Sequence, residues 1–150
     1  MSSMQLQPVC RRQYGVSMIE TLIVIAIIGI ATTMAIPIYQ IYTIRAQIGQ
    51  GLVLAQPHKN AMTTFHQTNG AFPENNSVAD LLPPDAYRSK YIASISVTGP
   101  VVEIRFGNQA NPQILGRSMT LTANPIAGSV SWICTSGGTI PDDHVPPACR

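Results

Sequence analysis

The strongest constraint on this chain is a run of 24 residues, 21 to 44, with no Asp, Glu, Lys or Arg: TLIVIAIIGIATTMAIPIYQIYTI, bounded by Glu20 and Arg45. As a helix rising about 1.5 Å per residue, it reaches roughly 36 Å, enough for a hydrocarbon core of about 30 Å. Burying such a helix inside a soluble core would take more chain than the rest of these 150 residues supplies. Charged residues make up only 11% of the chain, against about 25% in an ordinary soluble domain. That shortage argues against a cytosolic enzyme with a densely charged surface and against a charged disordered tail.

The flanks of the run differ from those of a secretory signal, whose cleavage site follows the apolar region. Here a polar segment, MSSMQLQPVCRRQYG, carries Arg11 and Arg12 and ends in Gly15. A cut after Gly15 leaves the apolar helix on the mature protein as its anchor. Arg11 and Arg12 hold the precursor's N-terminus in the cytoplasm by the positive-inside bias. Glu20 stands at the edge of the apolar run. A carboxylate at a membrane helix centre costs about 2.5–3.5 kcal/mol on insertion scales, so a cationic partner is expected. The plainer reading of Glu20 is an acid favoured by the dipole at a helix N-terminus.

The stretch GVSMIETLIVIAIIGIATTMAIPIYQIY resembles the N-terminal signature of the type IV pilin family, in its type IVa major-pilin form. Gly15 precedes the cut, Glu20 is the fifth mature residue, and Gly29, Pro37, Tyr39 and Tyr42 follow in register. Val16 stands where the family usually has Phe or Met, and Tyr14 separates the basic pair from Gly15. The resemblance implies that a prepilin peptidase cuts between Gly15 and Val16 and methylates the new amine of Val16. It also implies that Glu20 and Pro37 serve assembly, Glu20 by pairing with another copy's N-terminal amine inside the helix bundle. A carboxylate in a dry bundle is tolerated chiefly when a cation neutralises it.

Residues 1–15 are thus expected to form a cleaved leader, 16–44 a membrane and fibre-core helix, and 45–150 a globular head. Ile44, Ile48, Leu52, Ala55, Met62 and Phe65 form an apolar stripe at helical spacing, interrupted by Gly49, Gly51 and Pro57. One long helix from about 17 to 66 is expected, bent at Pro37 and Pro57, each of which removes a backbone donor. Residues 67–90 are rich in Asn, Gly, Pro and Ser and read as a loop, with a short helical turn near Val78 to Leu82. The resemblance makes it an exposed connection that mediates subunit contacts. Asn75-Asn76-Ser77 matches a glycosylation sequon and is read as a chance match.

Alternation follows over 91–135. Tyr91, Ala93, Ile95 and Val97 share one face; so do Val102, Ile104 and Phe106; Met119, Leu121 and Ala123; and Val130, Trp132 and Cys134. Four period-two segments separated by Gly, Pro and Asn predict a four-stranded antiparallel sheet with one buried face, covered by the helix stripe. The fold class is therefore α+β, a long N-terminal helix packed on that sheet.

Three cysteines, Cys10, Cys134 and Cys149, become two if the leader is removed. With the head outside the inner membrane a Cys134–Cys149 disulfide is expected. It closes the 134–149 loop, contributes about 3 kcal/mol by chain entropy and holds a tail with no regular structure. Pilins commonly carry such a loop. The rival reading, zinc held by Cys134, His144 and Cys149, fits no common spacing and lacks an obvious fourth ligand.

No nucleophile elbow, phosphate-binding glycine loop or H-E-x-x-H motif is present, and neither an enzyme nor a cofactor is expected. The leader's loss leaves seven basic and seven acidic side chains, a balance that lets many copies stack without accumulating repulsion.

The expected function is a structural subunit that polymerises through its N-terminal helix into a retractable surface fibre for adhesion and twitching motility. The subunit would wait in the inner membrane, head periplasmic, before the pilus assembly machinery builds the extracellular fibre. Two alternatives share this N-terminus. A minor pilin for DNA uptake needs clustered Lys and Arg; only Arg88 and Lys90 lie close together, and the net charge does not support it. A type II secretion pseudopilin is disfavoured by the C-terminal cysteine loop.

Overall fold

The computed structural model describes residues 15–137 and 139–149, apart from the side chains of Ala35, Pro37 and Ala148. Cys10, Arg11 and Arg12 of the expected leader lie outside the described residues. The chain divides into two units, one ending at Pro37 and the other beginning at Ile38.

Helix α1 runs from Met18 to Leu54 and helix α2 from Gln56 to Asn69. Helical structure continues through Pro37 and is interrupted only at Ala55. Pro57 explains the interruption: it has no N–H to give the Val53 carbonyl, and it sits in the first turn of α2, where a missing donor is tolerated. The expected single helix is thus two elements, and it ends three residues later than expected. Gly70 closes α2 in the left-handed region at φ 72°, its N–H donating to the His66 carbonyl at 2.8 Å.

The sheet is an antiparallel meander, β1 Ile92–Thr98, β2 Val101–Phe106, β3 Ser118–Ile126 and β4 Ser129–Thr135, in that spatial order. Two-residue turns join β1 to β2 at Gly99-Pro100 and β3 to β4 at Ala127-Gly128. Pairing of β2 with β3 stops at Val101 and Thr122, so Pro125 stands where β3 has β4 as its partner in the sheet and no β2 residue opposite.

The inward faces of β2 and β3 are those expected: Val102, Ile104 and Phe106, and Met119, Leu121 and Ala123, are all buried. On β1 the phase differs. Pairing jumps from Ile92–Phe106 to Ser94–Arg105, leaving Ala93 as an extra residue in a bulge. Ile92, Ile95 and Val97 are therefore the buried residues, rather than Tyr91 and Ala93 with Ile95 and Val97. Gly107 accommodates the bulge, since a Cβ there would lie 2.6 Å from the Ala93 Cβ. On β4, Val130, Trp132 and Cys134 alternate as expected but are only half-buried.

The helix stripe facing the sheet is Ile44, Ile48, Gly51, Ala55, His58 and Met62, alternating steps of four and three. Gly51 belongs to this stripe instead of interrupting it. A Cβ there would sit 3.1 to 3.3 Å from Ile92, Ile104 and Phe106, so glycine permits the closest approach of helix to sheet. Leu52 and Phe65 are only half-buried. In the 67–90 loop a hydrogen-bonded turn covers Asn76–Asp80, and the helical turn is a 3₁₀ turn, η1, at Pro84–Tyr87 rather than at Val78–Leu82.

Candidate functional site

The N-terminal unit presents a helix apolar on every side. None of its most apolar 18-residue window is buried in the molecule, and Leu22, Ile25 and Ile28 are each 57–58% exposed. A helix apolar all round is stable only inside lipid or among other apolar helices. By length and composition it can cross a membrane. Its hydroxyls are prepared for a dry environment. Thr32 Oγ1 donates to the Ile28 carbonyl at 2.7 Å and Thr33 Oγ1 to the Ile30 carbonyl at 2.8 Å, so neither needs water.

Gly15 and Val16 precede α1 in exposed, non-helical backbone, Val16 being 73% exposed. Glu20 is exposed in the first turn of α1, where the helix dipole favours a carboxylate. Pro37 lies within α1, and its side chain falls outside the described residues.

The second assembled feature is the C-terminal loop. Cys134 and Cys149 are bonded, with Cα atoms 4.6 Å apart, so neither is a thiolate free for zinc. The tail between them is held by more than the disulfide. Ile140 and Val145 are buried in the core, and short 3₁₀ turns at Asp142–His144 and Pro147–Cys149 give it local structure. Arg45 Nε and Nη2 both donate to the Asp143 carbonyl, at 3.2 and 2.7 Å. The Arg117 guanidinium donates to the Thr139 carbonyl, and Thr139 Oγ1 donates to the Ser118 carbonyl at 2.8 Å. Charge-assisted bonds of this kind are stronger than neutral ones. The expectation of a tail with no regular structure, held by its cysteine bond, is corrected.

Sequence reasoning missed Arg45, Arg117, Asn76 and His58 as positioned residues. Arg45 and Asp143 are 98 positions apart, and an arginine meeting a carbonyl leaves no periodic trace. Asn76, the middle residue of the sequon, is buried and bonded to β1, while Asn75 is exposed and its Oδ1 accepts from the Val78 N–H at 3.1 Å.

Two family models match this architecture unit by unit. Residues 44–150 match the pilin family of bacterial filaments, and residues 10–36 match the prokaryotic N-terminal methylation motif. The chain is 36% identical to a type IV major pilin protein, PilE1, of Neisseria gonorrhoeae, over 92% of this chain and 94% of that protein. It is 32% identical to a fimbrial protein of Neisseria meningitidis serogroup B, over 92% and 94%. It is also 30% identical to the fimbrial protein EcpC of Eikenella corrodens, over 92% and 91%. The chain belongs to the pilin family, in its type IV branch. Relatives described as major pilins and fimbrial proteins favour neither the DNA-uptake nor the pseudopilin alternative.

Proposed function

We infer that this protein is the structural subunit of a type IV pilus and that it polymerises through its N-terminal helix. One observation carries this reading: the first half of α1 exposes apolar side chains on all sides, while its continuation from Ile44 buries one stripe in the head. The exposed half needs a lipid or helical environment that its own chain does not supply, and a bundle of identical helices supplies one. Transfer of such side chains out of water is worth about 1.5–3 kcal/mol each.

Several finer assignments extend the reading. Prepilin peptidase cuts between Gly15 and Val16, and the new amine of Val16 is methylated. The subunit rests in the inner membrane with its head in the periplasm until the assembly machinery draws it into the extracellular fibre. Within the fibre Glu20 faces a neighbouring copy's amine, which offsets the desolvation of the carboxylate, and Pro37 sits in the packed helix. The fibre serves adhesion and retraction-driven twitching. The register Gly15–Val16–Glu20 and the methylation-motif match over 10–36 support these steps.

Electron microscopy of cells lacking this chain, with mass analysis of the subunit sheared from wild-type cells, tests both layers. Bald mutant cells and a wild-type mass starting at Val16 plus one methyl group are expected. Normal piliation in the mutant overturns the subunit reading. A surface protein retaining Met1 and Cys10 overturns the processing scheme.

A further inference from the structure

His58 lies on the buried stripe of α2 with its side chain wholly enclosed, and among the described residues neither ring nitrogen has a hydrogen-bond partner. A neutral imidazole offers one donor and one acceptor, and a buried histidine with both unmet is uncommon. Its ring meets Tyr87 of η1 edge-on, centroids 4.2 Å apart and planes at 65°. Tyr87 Oη accepts from the Leu82 N–H at 3.1 Å. The Leu82 carbonyl accepts from Asn76 Nδ2 at 3.0 Å. The Asn76 side chain then holds β1 twice, donating to the Ile95 carbonyl at 3.2 Å and accepting from the Val97 N–H at 2.7 Å. His58 is thus the α2 end of a relay that pins the connecting loop.

Among the described residues no counter-charge awaits a protonated ring. The last turn of α1 and the whole of β1 have no ionisable side chain, and the inward residues of β2 and β3 are all apolar. From η1 the facing group is the Tyr87 phenol, while Asp85, and Asp80 and Glu74 in the loop, are exposed. On α2 the Lys59 ammonium lies 5.4 Å above the Trp132 ring. Burial pushes the His58 pKa below 6.5; the Leu54 carbonyl, one turn back, favours the protonated form but falls short of hydrogen-bond geometry with the ring.

We propose that His58 is an acid-sensitive latch in the pilin head: protonating its enclosed ring breaks the contact with Tyr87 and releases the loop segment 76–87 from α2. This inference concerns the head alone and does not depend on how the fibre assembles. The sign follows from linkage. With the folded pKa below the unfolded value of about 6.5, the unfolded chain takes up the proton first. The stability that neutral His58 allows is complete above pH 6.5. It is lost as pH falls from 6.5 towards the folded pKa, by up to about tenfold in the folded-to-unfolded ratio per pH unit.

The test is denaturation of the mature chain in detergent micelles between pH 7.5 and 5.0, beside His58→Phe and His66→Gln. His58→Phe keeps an aromatic ring against Tyr87 and does not titrate. A decline of up to about tenfold per pH unit below 6.5 is expected in wild type and in His66→Gln, and its removal in His58→Phe. Parallel profiles for wild type and His58→Phe overturn the latch. Should His58→Phe not fold, amide exchange on wild type decides. Protection of the Leu82 N–H, corrected for intrinsic exchange, must fall as the pH drops through the titration of the His58 imidazole signal. Constant Leu82 protection through that titration overturns the proposal.

Discussion

The two halves of α1 share a backbone conformation but differ in what stabilises them. Before Pro37 the described large apolar side chains are exposed on every side. From Ile44 onward the helix alternates, with Ile44, Ile48, Gly51 and Ala55 buried against the sheet and Ala46, Gln50 and Val53 exposed. The first half is a helix in search of an environment; the second has one built by its own chain. One continuous secondary-structure element can therefore carry two kinds of stability, one intermolecular and one intramolecular, and substitutions should separate them.

The largest separation is expected at Glu20. Glu20→Ala removes a charge that is costly in lipid, so membrane insertion should persist or improve, whereas fibre yield should fall steeply if the proposed pairing with a neighbour's amine is lost. Shear yields and electron microscopy measure it, and wild-type fibre numbers would sink the assignment. Next comes a matched pair. Ile48→Ala opens a cavity in the head and should cost about 2–5 kcal/mol. Ile25→Ala, in the exposed half, should leave head stability within about 0.5 kcal/mol of wild type. Denaturant melts of the micelle-held subunit compare them, and equal losses would break the contrast between the halves.

A Cys134→Ser/Cys149→Ser double variant should destabilise the head by about 3 kcal/mol, given the 15-residue separation. The tail should nonetheless remain docked at low temperature, because Ile140, Val145 and the two arginine contacts are independent of the sulfur bond. Amide protection at Val145, whose N–H donates to the Asp142 carbonyl at 3.1 Å, reports that docking. The smallest effect is expected for Arg45→Ala, about 1 kcal/mol, since its two bonds go to a single carbonyl at a partly solvated site. It should loosen the tail without touching the sheet, which amide exchange resolves strand by strand.

How far the sequence could be read depended on whether the controlling interactions were local. The apolar run, the Gly15–Val16–Glu20 register and the faces of β2 and β3 are set within a few residues of themselves, and those strand faces were legible from alternation alone. The face of β1 was misread because a bulge belongs to a pair of strands: Gly107, across the ladder, makes room for Ala93. Gly51 was misread and His58 missed because their residue types do not announce burial. Glycine is buried there through the close approach of the sheet, and His58 through the Tyr87 contact.

By itself, then, the sequence determined that a long apolar helix leads an α+β head and that two cysteines close its tail. Hydrophobic period and covalent chemistry are properties of neighbouring residues. Only the tertiary structure decided that Arg45 and Arg117 clamp that tail, that Asn76 stitches the loop to β1, and that a histidine is enclosed without a partner. Those outcomes depend on which distant groups the packed chain brings within a few ångströms, and residue order alone carries no such distance.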